Sequence, residues 1–80
     1  MQSVTDEQTK ACIAANLKRL RGSLSLAEVA RRSDSFPTTI KEIEEGVRMP
    51  GVGLLTRIAA AFGVTVDEFL RNPTKPKKTA

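Results

Sequence analysis

Three times in this chain a threonine or serine is followed three residues later by a glutamine or glutamate, with an apolar stripe close behind: Thr5 with Gln8, Ser25 with Glu28, and Thr65 with Glu68. In such a capping box the hydroxyl accepts a hydrogen bond from the third helical amide, while the longer side chain returns to the cap's own N–H. Each occurrence predicts a helix start. The residues after each start keep helical spacing. Ile13, Leu17, Leu20 and Leu24 recur at intervals of four and three, and Leu26, Val29, Ala30 and Ser33 share one face. Gly22-Ser23 breaks the first helix, and Asp34-Ser35 are turn formers after the second. Pro37 suits the first position of a third helix, with Ile40 and Ile43 inward and Gly46 to end it. Leu54, Leu55, Ile58, Ala59 and Phe62 make a fourth, closed by Gly63. Val64 is placed to staple against Phe69 in the fifth. Nothing alternates over the length of a strand, so the expected fold is an all-α domain of five helices.

Eighty residues hold one domain, whose core supplies only roughly 3–5 kcal/mol. The absences exclude whole classes of chemistry. With no histidine there is no imidazole ligand and no Ser/His or Cys/His pair. Cys12 alone makes neither an internal disulfide nor a thiolate zinc site. The neighbouring acids Glu44/Glu45 and Asp67/Glu68 point different ways on their helices, which argues against general acid–base work. We therefore expect no enzyme, no metal and no cofactor. Even the longest apolar runs, such as residues 58–62, are far short of the ~20 that span a bilayer, and residues 1–7 lack the basic and apolar regions of an export signal. The expectation is a cytoplasmic protein with no membrane partner.

The formal charge of +4 is unevenly placed. Residues 1–70 carry equal numbers of acids and bases, and the whole excess lies in Arg71, Lys75, Lys77 and Lys78. Residues 71–80, with Pro73 and Pro76 and almost nothing apolar, cannot bury enough surface to order themselves. They are expected to form a basic tail after a domain of residues 1–70, either solubilising or seeking phosphate.

The second and third helices, short and joined by a tight turn, have helix-turn-helix proportions. Here the chain resembles the Cro/CI-like (XRE) helix-turn-helix repressors of bacteria and their phages, whose fold is the lambda-repressor-like five-helix domain. The resemblance runs from about Asn16 to Leu70. It rests on Leu17-Lys18-Arg19-Leu20-Arg21, on Leu24-Ser25 with Glu28-Val29-Ala30, and on Ile40, Ile43-Glu44, Gly46, Arg48 and Pro50. It continues through Leu55, Ile58-Ala59 and Ala61-Phe62-Gly63-Val64-Thr65-Val66-Asp67-Glu68-Phe69-Leu70. The chain also departs from the family. Gly22-Ser23 is a short connection, and Leu26, often glutamine in the family, is read as core. Phe36 stands where a capping Ser/Thr is expected, which makes the start of the third helix unusual.

On a wheel of about 100° per residue, Ile40 and Ile43 face inward and Thr38, Lys41, Glu42 and Glu45 face outward. The resemblance implies that Pro37, Thr38 and Glu42 meet base edges in the major groove of an operator. Threonine suits a base or a thymine methyl, and glutamate suits cytosine N4. Arg48 matches the family's basic loop residue on the sugar–phosphate backbone, and Ser25 and Thr39 lie where helix termini face phosphates. Glu44 borders the core, and the family pairs it with an arginine late in helix one. Arg21 flanks the apolar stripe there and Arg19 points away, which selects Arg21. Arg31 and Arg32 are expected to be solvated rather than DNA-bound, and Cys12 to be a structural or spare thiol. The implied function is a transcriptional regulator, a phage or bacterial repressor, that binds palindromic double-stranded DNA as a homodimer through residues 66–70. Two alternatives stay open: an antitoxin of the same fold that also binds a toxin protein, and an interaction module without DNA binding.

Overall fold

A computed structural model describes residues 5–71. Helices α1 (Asp6–Arg21), α2 (Leu26–Arg32), α3 (Pro37–Glu44), α4 (Val52–Phe62) and α5 (Val66–Leu70) succeed one another, and no strand occurs among the described residues. Among the described residues the chain is all-α with five helices, as its capping and stripe pattern predicts.

At Thr5 the box closes both ways: Gln8 N–H donates to Thr5 Oγ1 at 3.1 Å, and Thr5 N–H donates to Gln8 Oε1 at 3.0 Å. The other two boxes do not close. Ser25 Oγ accepts from Glu28 N–H at 3.0 Å, but Glu28 turns its carboxylate to Arg31 and Arg32. Two guanidiniums one turn on attract a carboxylate more strongly than one neutral amide does. Thr65 makes no side-chain cap bond, and Glu68 faces Arg19 and Arg71 instead. A five-residue helix is held by its packing rather than by its cap.

One core unites the elements. Ile13 and Leu17 of α1, Val29 and Ala30 of α2, Ile40 and Ile43 of α3, Leu55 and Ile58 of α4, and Phe69 of α5 are all buried in it. Leu20, Leu24, Leu26 and Val64 pack on its edge, so Leu26 does belong with the core. Phe69 is fully enclosed, with the ring of Phe62 tilted against it at 6.5 Å between centroids. α1 lies against both α3 and α5, and α2 packs on α3 and α4. The helix-turn-helix pair is thereby clamped from both sides, leaving the outer face of α3 open. Residues 72–80 of the expected tail lie outside the described residues. Arg71, expected to belong to that tail, is tied to α5 through Asp67 at 3.1 Å.

Candidate nucleic-acid interface

The turn from α2 into α3 is fixed by hydrogen bonds and then ends on an aromatic residue. Asp34 takes a positive φ of 56°, tolerable for its short polar side chain. Ser35 N–H returns to the Ala30 carbonyl at 2.8 Å. Ser33 is buried, its hydroxyl on the Val29 carbonyl at 2.8 Å, and its own carbonyl accepts from Arg57 Nε of α4 at 2.8 Å. Phe36 then stands as the N-cap in extended backbone and offers no side-chain acceptor. Pro37 at the first helical position has no N–H, so the free donors of this helix end are the amides of Thr38 and Thr39. No acid lies in the first turn, and the end keeps the partial positive charge of the helix dipole. Phe36, Pro37 and Thr38 are exposed, and Thr39 is half-buried.

Farther along α3, Lys41 and Glu45 are exposed and Glu42 is half-exposed. Their charges are already engaged. Lys41 Nζ lies 3.4 Å from Glu45 Oε2, and Arg48 Nε donates to Glu42 Oε1 at 2.7 Å. The family resemblance implies a base for Glu42 and a phosphate for Arg48 independently; in this structure they hold each other. The cause is Gly46, whose φ of 76° turns the chain back after α3 so that Val47 N–H bonds the Glu42 carbonyl at 3.1 Å. That return brings residue 48 level with residue 42. The spacing of six, outside the helical intervals of three and four, hides the pair from a wheel.

Ser25 caps α2 at the surface. Beyond it, Arg31 and Arg32 are exposed, and both pair with Glu28. Hydrogen bonds from Arg31, then Arg32, hold the Glu28 carboxyl below its ordinary pKa, and the bond to Glu28 raises that of Arg31.

Behind α3, Arg21 meets Glu44 with two parallel bonds, Nε to Oε2 at 2.5 Å and Nη2 to Oε1 at 2.9 Å. Its remaining nitrogen, Nη1, donates to the Leu24 carbonyl at 2.8 Å. The bond to Glu44 is the main reason the Arg21 guanidinium is held even more firmly charged than usual. This fork ties the end of α1, the α1–α2 connection and the end of α3 into one unit. Arg19 instead bonds Asn16 at 3.2 Å and lies 3.9 Å from Glu68.

Two positioning residues escaped the sequence. Asn16, buried beside Leu17, donates through Nδ2 to the Phe69 carbonyl at 2.9 Å and to the Arg71 carbonyl at 2.8 Å. The available signal was its place on the Ile13/Leu17 stripe, where an amide needs partners. Arg57, which fastens the α2–α3 turn, is the lone charged residue within α4. Cys12 is half-buried and free. Among the described residues no cluster of His, Cys, Asp and Glu could hold a metal, and no helix is long and apolar enough to cross a membrane.

Residues 17–69 match the Helix-turn-helix family HTH_3. The fold is similar to that of an HTH_3 family transcriptional regulator from Vibrio cholerae, at 33% identity and a TM-score of 0.76, over 81% of this chain. The chain spans only 38% of that regulator's length. It is also similar to the hypothetical transcription factor NHTF from Neisseria, with 26% identity, a TM-score of 0.77, and 91% of this chain matched to 87% of that one. A third likeness is to the clp gene regulator ClgR from Corynebacterium glutamicum, with 26% identity, a TM-score of 0.72, and 78% of this chain matched to 68% of that one. Among curated proteins none matches.

Proposed function

The chain belongs to the Helix-turn-helix family HTH_3, and on that premise we propose that it is a DNA-binding transcriptional regulator that represses by occupying an operator, without a cofactor. The observation that carries this is the open start of α3, a helix end with free amides, no acid in its first turn and exposed Pro37 and Thr38. α3 enters the major groove from that end. Thr38 and Glu42 meet base edges, while Ser25, Thr39, Lys41 and Arg48 serve the backbone. The similar regulators from Vibrio and Corynebacterium and the Neisseria factor favour the same reading.

The active form is a homodimer on a palindrome, because two copies of α3 about 34 Å apart fit successive major grooves. α5 is the proposed contact, with Leu70 as its exposed apolar residue. The test is a titration of the protein against duplexes enriched from a random pool, at several salt concentrations, with sedimentation at saturation. Enrichment of an inverted repeat, a negative log–log salt slope and two chains per duplex are expected. One chain per duplex removes the dimer, and salt-independent or absent binding removes the regulator.

A second reading, a protein-interaction module, draws on the paired charges of α3, which leave its outer face electrostatically poor for a polyanion. An α3 substitution that abolishes a protein complex while no duplex binds would favour it.

A further inference from the structure

Phe36 is the largest apolar side chain left in water, 73% exposed, in a chain whose other described phenylalanines are fully buried (Phe69) or half-buried (Phe62). It occupies the N-cap, where a Ser, Thr, Asp or Asn would close an open helix end and where the Phe side chain contributes no hydrogen bond. Its backbone is nevertheless pinned. The Phe36 carbonyl accepts the first helical bond from Ile40 N–H at 3.1 Å, Pro37 restricts it to extended geometry, and Ser35 before it is bonded to Ala30. A rigid turn therefore presents a free aromatic ring at the leading end of the helix proposed to enter DNA.

The rest of that face defines what such a ring is for. Lys41 and Glu42, the charged groups of α3 that could donate to or accept from base edges, are engaged by Glu45 and Arg48. Thr38, two residues on from Phe36, is exposed and offers a methyl as well as a hydroxyl. In the major groove the apolar feature that distinguishes one base pair from the others is the thymine 5-methyl group, and phenylalanine and the threonine methyl are among the side chains suited to it. Resting on the DNA-binding reading above, we infer that Phe36 is a specificity-determining residue that packs on a thymine 5-methyl group at the edge of the site, with the Thr38 methyl beside it. Apolar contact adds to the hydrogen-bonded readout assigned to Thr38 and Glu42 above.

The experiment uses the full chain and the tightest duplex enriched from a random pool, with each thymine replaced in turn by deoxyuridine. This deletes the 5-methyl and leaves base pairing intact. For the wild type, deoxyuridine at one position per half-site should weaken binding about fourfold, the value of one methyl group removed from water. Phe36→Ala should bind the thymine duplex more weakly and no longer distinguish thymine from deoxyuridine there, whereas Phe36→Leu should keep part of the distinction. Because the ring is exposed, Phe36→Ala should melt as the wild type does. Equal thymine-to-deoxyuridine ratios for wild type and Phe36→Ala overturn the inference while leaving DNA binding intact, as does a wild type indifferent to every methyl. A pool that yields no enriched duplex overturns the DNA-binding reading, and this inference with it.

Discussion

Arg48 Nε lies 2.7 Å from Glu42 Oε1, so the loop after α3 is bonded to the outer face of α3 itself. Both side chains remain substantially exposed, and such a pair is worth only about 0–1 kcal/mol in water. It therefore guides rather than locks: a phosphate arriving at the loop competes with Glu42 for Arg48 at small cost.

That competition makes the two substitutions opposite in sign. Glu42→Gln frees Arg48 and removes an anion from the outer face of α3, so on the proposed function non-specific affinity should rise and specific base preference should change. Arg48→Ala should weaken binding to every sequence alike and make the log–log salt slope shallower by about one. The double variant should fall short of the sum, because Glu42→Gln acts partly through Arg48. Fluorescence titrations of cognate and scrambled duplexes at several salt concentrations measure all three. Additive effects would mean that the pair has no part in binding.

The Arg21–Glu44 fork belongs to the scaffold. Glu44 is 6% exposed and Arg21 25%, so removing the carboxylate strands a partly wet cation that keeps its bond to the Leu24 carbonyl. Glu44→Ala should destabilise by about 2–3 kcal/mol, below the ~3–5 kcal/mol of a fully buried pair. Glu45→Ala, on the exposed face, should stay within about 0.5 kcal/mol. Equal losses in thermal melting would show that the fork carries no special weight.

The range of an interaction decides whether it is legible in the sequence. Stripes, glycine stops and the Thr5 box are local, acting over one or two turns, and they are enough to delimit five helices. The wheel angle that separates Arg21 from Arg19 is also local, and Glu44 lies on the side of α3 that packs on α1. The Glu42–Arg48 contact depends on how sharply Gly46 turns the chain, and Arg57 finds Ser33 only after α4 has docked on α2. Neither geometry is written in a periodicity. Ser25 and Thr65 failed as full boxes for the same reason, since arginines outside the box drew away its acids.

Glu28 supplies a pH test. Its carboxyl is held below the ordinary value by Arg31 and Arg32, so the folded state binds its proton less tightly than the unfolded chain does. The associated stability is present above the ordinary glutamate value and is lost as pH falls through the lowered folded value. Melting temperatures should therefore fall further for the wild type than for Glu28→Gln between about pH 5.5 and about pH 3. The difference should shrink in high salt, because the pairs are exposed. Parallel curves at low salt would show that Glu28 makes no net contribution.

Asn16 offers the sharpest separation of folding from binding. Its Nδ2 satisfies two carbonyls at the end of α5, those of Phe69 and Arg71, from a site only 1% exposed. α5 is five residues long and makes no side-chain cap bond, so these bonds join the Phe69 ring, Val66 and the Arg19–Glu68 contact in holding it in place. Asn16→Ala removes both donors and leaves the Phe69 carbonyl to find water through a packed interface, a loss of about 1–3 kcal/mol. Asn16→Asp should be worse, since it sets a carboxylate against two carbonyl oxygens. The damage should be local. Amides of α5 should exchange faster in hydrogen exchange, while those of α2 and α3 keep their protection. If α5 is the dimer contact, Asn16→Ala should also lower the cooperativity of binding to a palindrome while leaving half-site affinity near that of the wild type. Uniform loss of protection across all five helices would mean instead that α5 and the helix-turn-helix fold as one unit, with Asn16 a core residue like its neighbour Leu17.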